Sequence, residues 1–352
     1  MISALSVTSG NPDWQFWSLI ALATVIGAAL ASASMTHLLH PVLARYALAR
    51  PNMRSSHQRA TPQGGGLAVI AATIGFASLL CVSIGGITTS FKSELLGIFS
   101  ATFLVSLVGA ADDVSALPVG ARLLLQAIAV AVVIFTLPAD LSIIPLMPVW
   151  AERAMLFAGM LWFVNLVNFM DGIDWMMVAE VVPVAAGLAL AGLLGALPAY
   201  AAVVALALLG AMLGFAPFNR PVARIFLGDV GSLPIGLLLG WLLVLLAGRG
   251  HLAAALLLPL YYLADATVTL VRRLMKGEKI WQAHRTHFYQ RATDNGFAVL
   301  EIVRRVFALN IGLVMLALAT IWFDSGSVSL VALLLGGLGV GWLLVTFGRG
   351  RP

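Results

Sequence analysis

Apolar runs about as long as a bilayer is thick recur along this chain from residue 15 to residue 347. A helix needs roughly 20 consecutive apolar residues to cross a hydrocarbon core. Eleven segments meet that need: 15–37, 65–85, 94–111, 122–138, 152–169, 178–195, 198–215, 231–248, 251–271, 302–322 and 327–347. In hydrocarbon each segment must satisfy its own backbone N–H and C=O groups, which leaves helices as the available structure. The expectation is an all-α, polytopic membrane protein of about 11 transmembrane helices. No repeat and no long linker divides the 352 residues, so they read as one membrane domain. Charged residues make up 10% of the chain, against about 25% in a soluble domain. Cys81 is the one cysteine and lies inside an apolar run, which excludes an internal disulfide framework. The first run follows a polar start containing Asp13 and lacks a basic leader, so it reads as a retained span.

The cationic side chains orient those spans. Of the 20 Lys and Arg, 17 fall in one set of loops and the C-terminal tail, and only Lys92, Arg153 and Arg249 fall in the other. Cytoplasmic loops carry the excess of Lys and Arg, which puts the N-terminus outside and the C-terminus in the cytoplasm. A basic rim beside anionic lipid accounts for the net charge of +5 without a nucleic-acid partner. Asp112, Asp113, Asp171, Asp174, Asp229, Asp265 and Asp294 sort to the same side, although the orientation did not use them. An acid at membrane depth costs about 2.5–3.5 kcal/mol on insertion scales, so such residues mark function by default. The loops that gather them are about 40–64, 112–121, 170–177, 216–230 and 272–301.

Each loop carries its own chemistry. Asp112 and Asp113 end the third run, and adjacent carboxylates repel unless a cation or shared proton intervenes. That pairing suits a magnesium site or a general base. Arg122, ten residues on, can fold back toward an anion. Asn165, Asn168 and Asp171 are spaced by three, which places them within a 120° arc of one helix. Their oxygens are hard ligands suited to magnesium, and interhelical hydrogen bonding is the plainer reading for Asn165. Gly172 loosens the helix and frees Asp174 to point elsewhere. Gly228-Asp229-Val-Gly231-Ser232 lets backbone approach a ligand closely, while a turn with a Ser232 cap explains it equally in isolation. The basic loop 272–301 holds His284-Arg285-Thr-His287, donors that fit a phosphate or diphosphate better than zinc.

Together these segments resemble a known family. Arg54-Ser-Ser-His-Gln-Arg59-Ala-Thr61-Pro-Gln-Gly-Gly-Gly66 looks like the first cytoplasmic signature of the polyprenyl-phosphate N-acetylhexosamine-1-phosphate transferases. The Asp112-Asp113 pair, the segment from Asn165 to Asp174, the Gly228–Ser232 segment and the His284–His287 loop are similar to its remaining signatures, in the same order. The resemblance runs from about residue 50 to 292. It implies a bacterial inner-membrane enzyme with a cytoplasmic site. Such an enzyme passes an amino-sugar-1-phosphate from a UDP-sugar to undecaprenyl phosphate, releases UMP and initiates O-antigen or another surface glycan. By the same resemblance Asp229 and Asn168 hold Mg2+, for which Mn2+ can substitute. Asp112, with Asp113 beside it, serves the lipid phosphate nucleophile, and Arg122, His284, Arg285 and His287 bind phosphate oxygens. Asn165, Asp171, Asp174, Arg59, Thr61 and Gly228 shape the substrate pocket. The bilayer is a further partner, and a homodimer is left open.

Two departures bear on substrate choice. Trp175 stands where the family often has glycine, which would narrow the pocket, and Ala116 replaces a third acid found in some members. The loop lacks the triple histidine of the phospho-MurNAc-pentapeptide transferases, the alternative branch. Rivals from other classes are a secondary transporter, which would place charges near the midplane, and an intramembrane prenyltransferase, which needs two Asp-rich clusters.

Overall fold

The computed structural model describes residues 14–49, 60–83, 89–279 and 284–349. The helices among them are α1 Trp14–Tyr46, α2 Gly66–Ser83, α3 Thr89–Val114, α4 Val119–Thr136, α5 Val149–Met170, α6 Met176–Leu193 and α7 Ala199–Phe215. They continue as α8 Asp229–Gly248, α9 Leu252–Leu257, α10 Leu260–Met275, α11 Phe288–Asp294, α12 Val299–Phe323 and α13 Gly326–Arg349. Two short antiparallel strands, β1 Leu48–Ala49 and β2 Thr61–Pro62, pair Leu48 with Pro62 and Ala49 with Thr61. Arg59, and with it the Arg54–Gln58 stretch, lies outside the described residues.

Eight helices are long and apolar enough to cross a membrane: α1, α3, α4, α5, α6, α8, α12 and α13. The apolar helices α2 and α7 are shorter. The expected single span over 251–271 is corrected. It is two helices, α9 and α10, with Pro259 between them. Proline lacks the N–H that would continue the ladder, and its ring crowds the carbonyl four residues back. The longer piece is also not uniformly apolar, since it carries Asp265, Thr269, Arg272 and Arg273.

The core is organised around α8. Apart from Asp229 and Ser232 in its first turn, α8 is apolar on every face, and it is buried from Val230 to Ala247, the pattern of a helix enclosed by others. Helices α2, α3, α5 and α9 pack directly on it, while α7 joins α1, α2 and α6 into a second layer, and α12 packs on α6, α9 and α13. At the start of α8 the packing becomes backbone on backbone. A Cβ on Gly66 would lie 2.2 Å from the Gly231 Cα, so α2 and α8 cross there only because both residues are glycine. The adjoining strand locks the same point. Gly64 and Gly65 donate N–H to the Phe226 carbonyl, and Gly66 donates to that of Leu227. The glycine run 64–66 thus serves to seat the loop that precedes Asp229.

Candidate active site

The site is built where α3 ends against the start of α8. Gly109 allows the approach, since a Cβ there would meet the Asp229 carbonyl oxygen at 2.3 Å. Asp113 then turns its carboxylate onto α8: Oδ1 accepts the Asp229 N–H at 2.9 Å and Oδ2 accepts the Val230 N–H at 3.1 Å. These are among the N–H groups a helix leaves unpaired at its first turn, and an anion is favoured there. Gly228 makes the fit feasible. Its φ is +78° with ψ 170°, and a Cβ would sit 2.4 Å from Asp113 Oδ2. Asp113, expected beside Asp112 as a catalytic acid, therefore has both oxygens committed to helix capping.

Asp112 faces the other way. Its Oδ1 accepts the Leu117 N–H at 2.6 Å, and its Oδ2 pairs with Arg122 Nη1 at 2.8 Å. The same Arg122 nitrogen reaches Asp229 Oδ2 at 3.4 Å. Asp229 Oδ1 in turn accepts an N–H from Asn168 at 2.8 Å, and Asn168 also donates to Ser232 Oγ at 2.9 Å. The result is a continuous polar chain, Asp112–Arg122–Asp229–Asn168, contributed by α3, α4, α8 and α5. Arg122 Nε is buried without a partner among the described residues, so its guanidinium is held by the two carboxylates alone.

Asp171 caps α5 beside this chain. Burial, then the nearby Asp229, Asp113 and Asp174, push its carboxyl up to about 8. Like charges gathered so closely favour a proton or a cation between them. Asp174 and Trp175 are used to fasten the loop. Asp174 accepts the Ala223 N–H at 2.9 Å. Trp175 sits at φ 62°, donates its backbone N–H to Asn219 and its indole N–H to the Ala216 carbonyl at 2.6 Å. The indole is thus directed at the turn after α7. Asn165 needs correcting as a pocket residue. It is buried and donates to Gln126 on α4 and to the Leu161 carbonyl, both at 2.8 Å, an interhelical bond within the bundle. Thr61 is buried in β2, on the strand that seats the Asp229 loop.

The His284–His287 loop reaches the cluster through α11. Tyr289 donates its hydroxyl to the Phe169 carbonyl at 3.0 Å. A Cβ on Gly172 would strike the Tyr289 Oη and the Gln290 Nε2. Arg285, half-buried, pairs with Asp294 at 3.3 Å and donates to Thr293 at 2.9 Å. His284 stacks on His287 with ring centroids 4.9 Å apart. His287 departs from the expectation of an open phosphate ligand: it is 2% exposed, with Nδ1 3.3 Å from Asp265 Oδ1. Asp265 was legible only as an acid at membrane depth. Nothing in its spacing pointed to the loop 20 residues on.

Among the described residues no three His, Cys, Asp or Glu side chains form a metal-binding group. The available donors are two carboxylates, Asp112 and Asp229, and the Asn168 amide, whose oxygen accepts no hydrogen bond from a described residue. This set fits magnesium rather than zinc, because Mg2+ uses one or two carboxylates and completes its shell with water and substrate phosphates. The guanidinium already standing between Asp112 and Asp229 shows that the space favours positive charge.

The model of the family described as "Glycosyl transferase family 4" matches residues 95–247, from within α3 to the last turn of α8. The chain is 30% identical over 329 residues to a decaprenyl-phosphate N-acetylglucosaminephosphotransferase of Mycolicibacterium smegmatis, covering 81% of this chain and 78% of that protein. It is 26% identical over 299 residues to a probable undecaprenyl-phosphate N-acetylglucosaminyl 1-phosphate transferase of Bacillus subtilis, covering 79% of each. A decaprenyl-phosphate N-acetylglucosaminephosphotransferase of Mycobacterium leprae is 28% identical over 337 residues, with 83% and 82% covered.

Proposed function

This chain belongs to glycosyl transferase family 4, with the polyprenyl-phosphate N-acetylglucosamine-1-phosphate transferases, and from that premise we propose that it transfers an amino-sugar-1-phosphate from a UDP-sugar to undecaprenyl phosphate. An oxygen of the acceptor phosphate attacks the β-phosphorus of the donor. The bond from that phosphorus to the bridging oxygen breaks, and the electron pair leaves on UMP. The product is a lipid-linked diphospho-sugar that opens the synthesis of a surface glycan. The observation that carries the reading is the polar chain Asp112–Arg122–Asp229–Asn168, drawn from four helices to one point at one end of the bundle.

Phosphoryl transfer of this kind asks the protein for positioning and charge neutralisation more than for covalent chemistry. Asp229 and Asn168 are the residues that would hold Mg2+, with Asp112 adjoining. The ion supplies neutralisation of the diphosphate. Asp113 fixes Asp229 by capping α8. Arg122, which bridges Asp112 and Asp229, is the guanidinium that would bind phosphate oxygens. Arg285 and His284 extend the cationic surface toward the donor, and Asp171 and Asp174 shape the nucleotide side. Asp112 orients the acceptor phosphate rather than deprotonating it, since a phosphate monoester is largely ionised near neutral pH.

The basic loops and these acids share one side, which supports an N-terminus outside and the site in the cytoplasm. The test is product chemistry. Membranes containing the protein, given undecaprenyl phosphate, magnesium and labelled UDP-N-acetylhexosamines in turn, should release UMP and move label into lipid. Lipid left unlabelled by every donor would overturn the proposal.

A further inference from the structure

We propose that Asp265 is a positioning residue for the transfer reaction: from within α10 it fixes the start of α11 and the imidazole of His287, and so holds the His284–His287 loop against the carboxylate cluster. This rests on the reading that the loop contributes to the transferase site.

Asp265 is fully buried, and five donors converge on it. Oδ1 takes the Phe288 N–H at 2.9 Å, His287 Nδ1 at 3.3 Å and Thr269 Oγ1 at 3.3 Å. Oδ2 takes the Tyr289 N–H and the Tyr261 hydroxyl, each at 3.1 Å. A carboxylate offers about four lone-pair sites, so this one is saturated. Three of its five partners belong to consecutive residues at the entrance to α11. The residue preceding that helix, His287, makes no side-chain cap of its own. Asp265 supplies the missing acceptors from another helix.

Two consequences follow for the site. A carboxylate only accepts, so His287 must donate from Nδ1, which leaves Nε2 as the nitrogen that can accept. A histidine ring held by a carboxylate in this way keeps one tautomer and one orientation. The second consequence runs through Tyr289 and Gln290. Both press on Gly172, and Tyr289 is bonded to the Phe169 carbonyl on α5, so α11 leans directly on the turn that carries Asp171 and Asp174. An α11 that slipped from Asp265 would release this turn as well as the loop.

The experiment uses the purified full-length protein in nanodiscs, with Asp265→Asn, His287→Ala and the double variant. Asp265→Asn keeps the shape but turns one oxygen into an N–H that faces other N–H groups. A fall in kcat of about 10–100-fold is expected, as for partners that orient an active-site histidine. The double variant should be no worse than Asp265→Asn alone, because what His287→Ala removes is part of what Asp265→Asn already releases. Hydrogen exchange at residues 286–291 should quicken at least about tenfold in Asp265→Asn, while α8 stays protected. Turnover within twofold of wild type, or losses that multiply in the double variant, would overturn the proposal. If Asp265→Asn fails to fold, Tyr261→Phe replaces it. That variant removes one donor and should quicken exchange at 286–291 and cost a few-fold in kcat, and wild-type exchange together with wild-type kcat overturns the proposal. If wild type itself transfers no sugar-phosphate, the transferase reading fails. Exchange at 286–291 then decides the anchor alone, and unchanged rates in Asp265→Asn overturn it.

Discussion

The Asp113 carboxylate receives the backbone N–H of Asp229 at 2.9 Å, so the acid that ends α3 sets the position of the acid that begins α8. Neighbouring acids in the sequence thereby take separate tasks. Asp112 looks into the site toward Arg122, while Asp113 looks away from it and holds the opposing helix by its first turn. The expected consequence is that Asp113→Asn, which presents an N–H to a backbone N–H, lowers kcat by about 10–100-fold, the usual cost of losing a group that orients a metal ligand. Asp229→Asn should cost at least as much. Combined, the two should lose no more than Asp229→Asn alone, since they share one function. Steady-state UMP release decides it, and multiplied losses would show that Asp113 has an independent role.

Gly228→Ala should damage the same junction by a different route. Gly228 occupies a backbone region open essentially to glycine, where another residue costs about 1–3 kcal/mol. Its new Cβ would also press on Asp113 Oδ2. Lower thermal stability together with lost turnover is the expected pair of results. A variant with wild-type kcat would mean that the junction tolerates displacement.

Trp175→Gly separates loop clamping from sugar choice. Glycine relieves the left-handed φ, worth about 1–2 kcal/mol. The variant gives up a half-buried ring, worth part of the about 1.5–3 kcal/mol of a fully buried one, and a hydrogen bond worth about 1 kcal/mol. A modest net loss of thermal stability is expected. Because the indole is directed at the Ala216 carbonyl, the ranking of UDP-amino sugars should stay as in wild type. A broadened sugar range would place Trp175 in the pocket after all.

Arg285→Ala tests the loop's contact with the donor. Losing a hydrogen bond to a charged group costs about 1.5–3 kcal/mol, or on the order of tenfold or more in donor KM. A separate titration of the acceptor should show little change. If donor KM and kcat both hold, the loop's cationic face serves something other than the diphosphate.

Metal dependence should carry a pH signature. Asp171, pushed up to about 8, retains a proton in the folded, metal-free protein at pH values where the unfolded chain has released it. The folded state binds more protons over that range, so its stability falls as pH rises toward 8. Below about 8 that proton also competes with a divalent cation for the same negative cluster. Magnesium should therefore raise the thermal midpoint more at pH 9 than at pH 6. Equal increments at both would argue against a cation within reach of Asp171.

The membrane class was readable from the chain because hydrocarbon imposes a length and an apolar composition that show in one dimension. Helices stand over all eleven apolar runs, and the one that is broken in two, 251–271, is instructive. Pro259 was visible in the run 251–271, yet its effect as a break in the helix depends on local backbone geometry. The acids that meet at the site were legible as a group because each is costly at membrane depth and all fall at one kind of helix end. Asn165 illustrates the limit. Its place on the same arc as Asn168 was correct as periodicity, but which of the two looks into the site depends on Gln126, 39 residues away on α4.

Sequence alone determined the solvent, the helical class and the residues that carry charge near the site, because solvation energies act on each residue type wherever the chain goes. Only the tertiary structure decided how those residues divide the work. Asp112 and Asp113 share a chemistry and a position in the chain, and differ in which neighbour each meets. Asp265 and His287 are separated by a loop and joined by a hydrogen bond. Those assignments arise from short-range, directional contacts between distant segments, and such contacts exist only once the helices have packed.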